Sequence, residues 1–341
     1  MNIKKRYKLL WTIGLFLLIG GVFLSGFTGS ADIEMASIIN ILKHKLLNIN
    51  VPGINASDEI IIWNLRMPRA LMALFIGGGL ALSGVVMQAL TQNVLAEPYI
   101  VGVQSGALAC VTFLYFIGAS FIYSWAGRFM AAFFGALITL LSVYKISHAG
   151  MKVASSRLIL AGMAISTLLA AVSNFFIIAT PNSNIIKGIL SWTMGSVSSA
   201  RWNNILFPGI TIGLCSLYVF FNAKKYDVIS LGDDTALSLG VNIQKLKKRS
   251  IILVSLMAGV SVASCGIIGF VGFIVPHILR RLISPKHIYL LPLSFIYGAC
   301  FLCLCDILAR TIFSPQELPI GIITALLGAP IFIYLLLKEK I

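Results

Sequence analysis

SIILVSLMAGVSVASCGIIGFVGFIVPHILRRLISPK (250–286) decides the fold. Residues 250–279 contain no Asp, Glu, Lys or Arg. An apolar helix needs about 20 residues to cross a bilayer core, so this run is long for one crossing and short for two. Charge settles the count. Lys245, Lys247, Lys248 and Arg249 precede the run, and Arg280, Arg281 and Lys286 follow it. Basic loops stay on the cytoplasmic side, so both ends face the same way and the chain crosses an even number of times. Gly266, Gly269 and Gly272 give it a place to turn. Two short helices are expected, at about 250–265 and 267–283.

The rest of the chain is built alike. Of its 341 residues 58% are hydrophobic and 11% charged, against roughly 25% charged in a soluble domain. Further apolar segments lie at about 9–28, 70–90, 98–118, 129–144, 158–179, 203–222, 288–308 and 320–337. Lys4, Lys5, Arg6 and Lys8 place the N-terminus inside, followed by an uncleaved first helix; Lys145, Lys152 and Arg157 mark an inside loop, and Lys338 and Lys340 end the chain inside. The segment from about 30 to 68 is then outside, and TQNVLAEP (91–98) is an inside turn. The expected fold is one all-α integral membrane domain over 1–341, with ten transmembrane helices and both termini cytoplasmic. GLALSGVVMQ (79–88) and VSVASCGIIGF (260–270) are alike but run in opposite directions across the membrane, as inverted repeats of a transporter would.

The net charge of +15 sits in loops between apolar segments, so it marks topology rather than nucleic-acid binding. The six cysteines, including Cys300 and Cys303, lie within apolar runs and read as packing residues. The dipeptide Gly-Lys never occurs, so there is no phosphate-binding P-loop, and the chain is not expected to hydrolyse ATP. The four histidines are scattered and suggest neither a metal site nor catalysis. Asp306, the clear intramembrane acid, stands four residues before Arg310, a spacing that lets the two pair on a helix. So few buried acids argue against ion-coupled transport and for an external energy source.

Two further features have competing readings. Arg66 and Arg69 lie on the outer side, where basic residues are disfavoured, and Arg69 follows Pro68 in what reads as a first helical turn. They either snorkel to the interface or form, with Arg310, a basic patch for an acidic partner. The basic loop 223–249 holds Asp233 as a helix cap, Gly240 as a stop and Asn242 as a second start. Its Val228, Leu231, Leu237, Leu239 and Val241 suit either an amphipathic pair on the membrane surface or a knob that docks a partner.

RMPRAL (66–71), GGGLALSGVVMQALTQNVLAEPYIVGVQSGA (77–107), RLILAGMAIS (157–166), WTMGSVSSARW (192–202), SLGDDTALSLGV (230–241), GIIGFVGFIVPHILRRL (266–282), DILAR (306–310) and ELPIGIITALLGAPIFIYLL (317–336) occur in that order. With them the chain resembles the FecCD-like permease subunits of type II ABC importers for iron-siderophores, haem and cobalamin. The resemblance implies a permease in the bacterial cytoplasmic membrane that pairs with a second permease subunit, a copy or a paralogue. It implies two ATP-binding cassette subunits below, which use ATP and Mg, and an extracytoplasmic substrate-binding lipoprotein above. This chain itself would bind no cofactor. Arg66, Arg69 and Arg310 match the arginines that meet acidic residues of the binding protein. Leu231, Gly232, Asp233, Asp234, Ala236, Leu237, Leu239 and Gly240 match the coupling helices. Ser155, Ser156, Asn93 and Leu95 match the cytoplasmic gate, where Val94 stands in place of the family's proline. An iron-siderophore is the first-choice cargo, with haem and cobalamin as open alternatives. A secondary transporter and a non-transporting scaffold or receptor are the competing functions.

Overall fold

The structure, a computed structural model, describes residues 3–29, 33–49, 54–147 and 155–338. Lys152, Lys340 and the side chains of Ser155, Ser156, Asp234 and Lys338 lie outside the described residues.

The chain is helical. Helix α1 (Ile3–Phe27) is followed by α2 (Met35–Leu47) and by α3 (Ala56–Glu59), which passes through a π-helical turn, Ile60–Arg66, into α4 (Met67–Thr91). Then come α5 (Val103–Phe116), α6 (Trp125–Ser147), α7 (Ser155–Ala179), α8 (Ser183–Thr193), α9 (Trp202–Phe221), α10 (Ala223–Ile229) and α11 (Asp233–Ser238). The chain closes with α12 (Ile243–Cys265), α13 (Val271–Leu282), α14 (His287–Thr311) and α15 (Ile320–Lys338). Among the described residues seven helices are long and apolar enough to cross a membrane, and Val103–Phe116 and Ile320–Tyr334 are shorter apolar helices.

Helix α4 is the axle. Nearly all of it is buried, and α14, α13, α9 and α12 pack around it. Lipid gives apolar side chains no reason to leave it, so helices in a membrane associate through close van der Waals fit, and small residues permit that fit. A Cβ on Gly84 would run into the carbonyl of Gly272 in α13, and one on Gly77 into the carbonyl of Gly298 in α14. The backbones therefore touch where the sequence carries glycine on both sides.

The deciding stretch does break at Gly266, whose φ of +72° an L side chain rarely adopts. The second helix begins at Val271 rather than near 267, because 266–270 stays non-helical and Phe270 holds a φ of +67°. Backbone groups freed at such a break must find partners away from water. The N–H of Ser196 donates to the Cys265 carbonyl at 2.7 Å, and Phe270's N–H meets Glu97. Helix α13 has 12 residues, about 18 Å of rise, so it lies well short of a ~30 Å hydrocarbon core by itself.

Two elements were not anticipated. Helix α2 buries Ile38, Ile41 and Leu42 against Ile62 and Met67, a small second core. Helix α8 starts at an Asn182 cap in the connection between the apolar segments 158–179 and 203–222. Both follow turn residues and are too short to carry a crossing signal.

Candidate functional site

One end of α14 carries a charged cluster. Asp306, fully buried, accepts from Arg69 Nε at 2.8 Å and lies 3.1 Å from Arg310 Nη2. Arg69 Nη1 donates to both carboxylate oxygens of Glu317, at 2.9 and 2.8 Å. Arg310 donates to Ser25 Oγ at 2.8 Å and to the carbonyls of Ser25 and Thr28; Arg66 donates to the carbonyls of Gly26 and Phe27 at 2.9 and 3.1 Å. Two arginines thus cap the carbonyls that end α1, which a cation suits and which no further turn can satisfy. Arg66, Arg69, Arg201, Arg310 and Glu317 line a cavity of about 300 Å³ with Ser198 and Gly29.

This placement brings Arg66, Arg69 and Arg310 together, and it corrects two expectations. They are buried rather than snorkelling. Nor is Arg69 in a first turn, since helix already runs from Ala56. The π turn comes instead: Met67's N–H bonds to Ile62 O, five residues back, just before Pro68, whose ring needs room and which has no N–H to offer. Sequence reasoning gave no role to Arg201 or Glu317, although both fell within quoted motifs.

At the other end of α14, 19 residues and about 28 Å away along the helix, lies the 223–249 segment. Asp227 of α10 accepts from the N–H of His287 at 2.8 Å and pairs with its Nδ1 at 2.8 Å. Burial pushes the Asp227 carboxyl up, but these two hydrogen bonds and nearby Lys286 outweigh it and hold the carboxyl below its ordinary value. Asp233 is the first residue of α11 rather than its cap; the preceding Gly232, at φ +111°, takes that position, and Asp233 pairs with Lys247 of α12 at 2.7 Å. Gly240 ends the turn at φ +78°, and Asn242 caps α12 through Lys245's N–H. Ala236 is buried, whereas Leu231, Leu237 and Leu239 are 67%, 54% and 61% exposed. Val228 and Val241 instead pack on the core. The short helix and the residues bordering it thus present three leucines outward while both flanks are anchored.

The turn after α4 borders this end. Asn93 Oδ1 accepts from Leu95's N–H at 2.9 Å, an Asx turn that defines the loop with Val94 in the proline position. Val94 lines a cavity of about 490 Å³ with Gln88, Gln92, Leu231, Arg280 and His287, and Arg280 donates to Gln88 Oε1 across it. Ser155 and Ser156 open α7, far along the chain from this turn.

The geometry therefore has two ends: an arginine pocket at one, and an anchored, leucine-bearing helix beside a polar cavity at the other. The FecCD transport family matches residues 17–338 of this chain. The chain belongs to that family. The hemin transport system permease protein HmuU of Yersinia pestis is 36% identical over 292 residues, 84% of this chain and 87% of that protein. The Fe(3+)-citrate import system permease protein YfmD of Bacillus subtilis (strain 168) is 36% identical over 341 residues, 97% of this chain and 95% of that protein. Among solved structures, an inward-facing transporter assigned to the metal-chelate type of ABC transporters superposes with a TM-score of 0.82 at 33% identity, covering 97% of this chain and 99% of that one. Relatives in the family are thus permease subunits of ABC importers for iron chelates, haem and cobalamin, and the chain is a multi-pass protein of the bacterial plasma membrane.

Proposed function

We propose that this chain is the permease subunit of a binding-protein-dependent ABC importer and forms the path for an iron chelate, an iron-siderophore in the first place. One observation carries the reading: the arginine pocket lies at the Arg310 end of α14, while exposed Leu231 lines a cavity with His287 at its other end. A binding protein would dock at the first and the ATPases at the second. The short helices supplement the seven long ones: α5, α13 and α15 bring the crossings to ten, with α12 and α13 going out and back and both termini cytoplasmic. A second permease, a copy or a paralogue, completes the path. Asn93 and Leu95, with Ser155 and Ser156, close its cytoplasmic end, and Leu231, Gly232, Asp233, Asp234, Ala236, Leu237, Leu239 and Gly240 form the coupling element. The names of HmuU and YfmD, hemin and Fe(3+)-citrate, support an iron-bearing cargo, and that of the vitamin B12 permease of Klebsiella pneumoniae keeps cobalamin as the alternative.

The test is uptake into proteoliposomes holding the permease, its ATPase and its binding protein, with radioactive iron offered as ferric hydroxamate, ferric citrate or haem. Uptake should need internal ATP and survive collapse of the proton gradient. Uptake that ignores ATP but follows the proton gradient would make the chain a secondary transporter. Intact docking without any uptake would make it a receptor.

A further inference from the structure

The arginine pocket is occupied from within. Arg66 and Arg310 are committed to the end of α1 and are buried. Arg69 is held on one side by Asp306, whose side chain is 1% exposed, and on the other by Glu317, whose side chain is 36% exposed. The two acids are thus unequal. Asp306 sits inside α14. Glu317 lies in the exposed connection before α15, which the Leu318 N–H fastens to Ala309 O at 2.9 Å, and its carboxylate reaches back over the mouth of the cavity. Arg201 lines the same mouth, is exposed, and donates to the carbonyls of Ser198 and Ala200, with no carboxylate paired to it among the described residues.

A buried guanidinium cannot lose a partner cheaply, but it can exchange one carboxylate for another with little net cost. Arg201 has no carboxylate partner among the described residues, so the mouth of the cavity still attracts anionic groups. The geometry points to Glu317 as an internal stand-in for the docked partner. It keeps Arg69 Nη1 paired while the pocket is empty, and a carboxylate on an acidic protein surface displaces it on docking. Arg201 is the arginine which that carboxylate meets first. The inference rests on the docking reading above and adds two residues to it, one that competes and one that steers.

The test uses the full chain in lipid nanodiscs and a fluorescein-labelled ten-residue glutamate peptide, with anisotropy read at low ionic strength. Glu317→Gln keeps the side chain's shape and should bind the peptide about two- to fivefold more tightly than wild type, the range of one partly exposed ion pair. Glu317→Asp, too short to span the same distance, should fall between the two. Glu34→Gln makes the same charge change outside the pocket and should leave affinity unchanged. Arg201→Gln should slow association about tenfold and flatten its salt dependence. Unchanged, weaker or absent binding by Glu317→Gln overturns the inference, and so does equal tightening by Glu34→Gln. The two readings fail separately. ATP-driven uptake with an unmoved peptide affinity removes only the stand-in, whereas the expected affinities without uptake leave the pocket and remove the importer.

Discussion

Asp306 owes its place inside α14 to Arg69 and Arg310, which come from a different helix and from its own next turn. A carboxylate in a bilayer interior is costly unless paired, and here two guanidiniums share it. Removing Arg69 leaves Asp306 with half its compensation and Glu317 with none. Arg69→Ala should therefore destabilise the protein by about 3–5 kcal/mol, seen as a fall in thermal midpoint in detergent, while Arg201→Ala should leave that midpoint unchanged. Equal midpoints for Arg69→Ala and wild type would sever the pair from stability. Asp227 makes a second, pH-dependent tie. Its folded value is depressed, so the stabilisation is present above the ordinary carboxylate range and is lost as pH falls through the depressed value. The gap in thermal midpoint between wild type and Asp227→Ala should be full at neutral pH and close on acidification. A gap that persists in acid would mean the aspartate acts by packing alone.

Helix α11 is short but positioned at both flanks: Asp233 by Lys247 of α12, and α10 by the Asp227–His287 contact with α14. The segment is therefore tied to two long helices rather than hung on a loop. Because Leu237 and Leu239 contribute little to the core, the double change to Asp should leave folding intact and release the ATPase, measured by co-purification at matched yield. Retained ATPase would remove the coupling role from this helix. The break between α12 and α13 illustrates what an element can and cannot announce. The glycines and flanking charges of 250–286 located it, yet the five-residue span before Val271 depends on Ser196 and Glu97, which reach it from elsewhere in the chain.

At the scale of the whole molecule, α14 puts Asp306 and His287 about 28 Å apart, near the thickness of a hydrocarbon core. Ser199→Cys and Thr235→Cys, both at exposed positions, should accordingly react with an impermeant thiol reagent from opposite faces of the membrane. The native cysteines are buried or half-buried and give little background. Labelling of both from one face would undo the topology and the importer with it.

The sequence by itself determined the long apolar helices, the break at Gly266 and the family, because these rest on composition, spacing and strings of adjacent residues. It also brought out Asp306 with Arg310, since four residues along a helix is a spatial statement. Only the tertiary structure decided that Arg69 shares Asp306 across 237 positions, that Glu317 fills the pocket, and that the arginines are buried. Those contacts join helices remote in the chain. Periodicity records which face of a helix is apolar, not which helix it will meet.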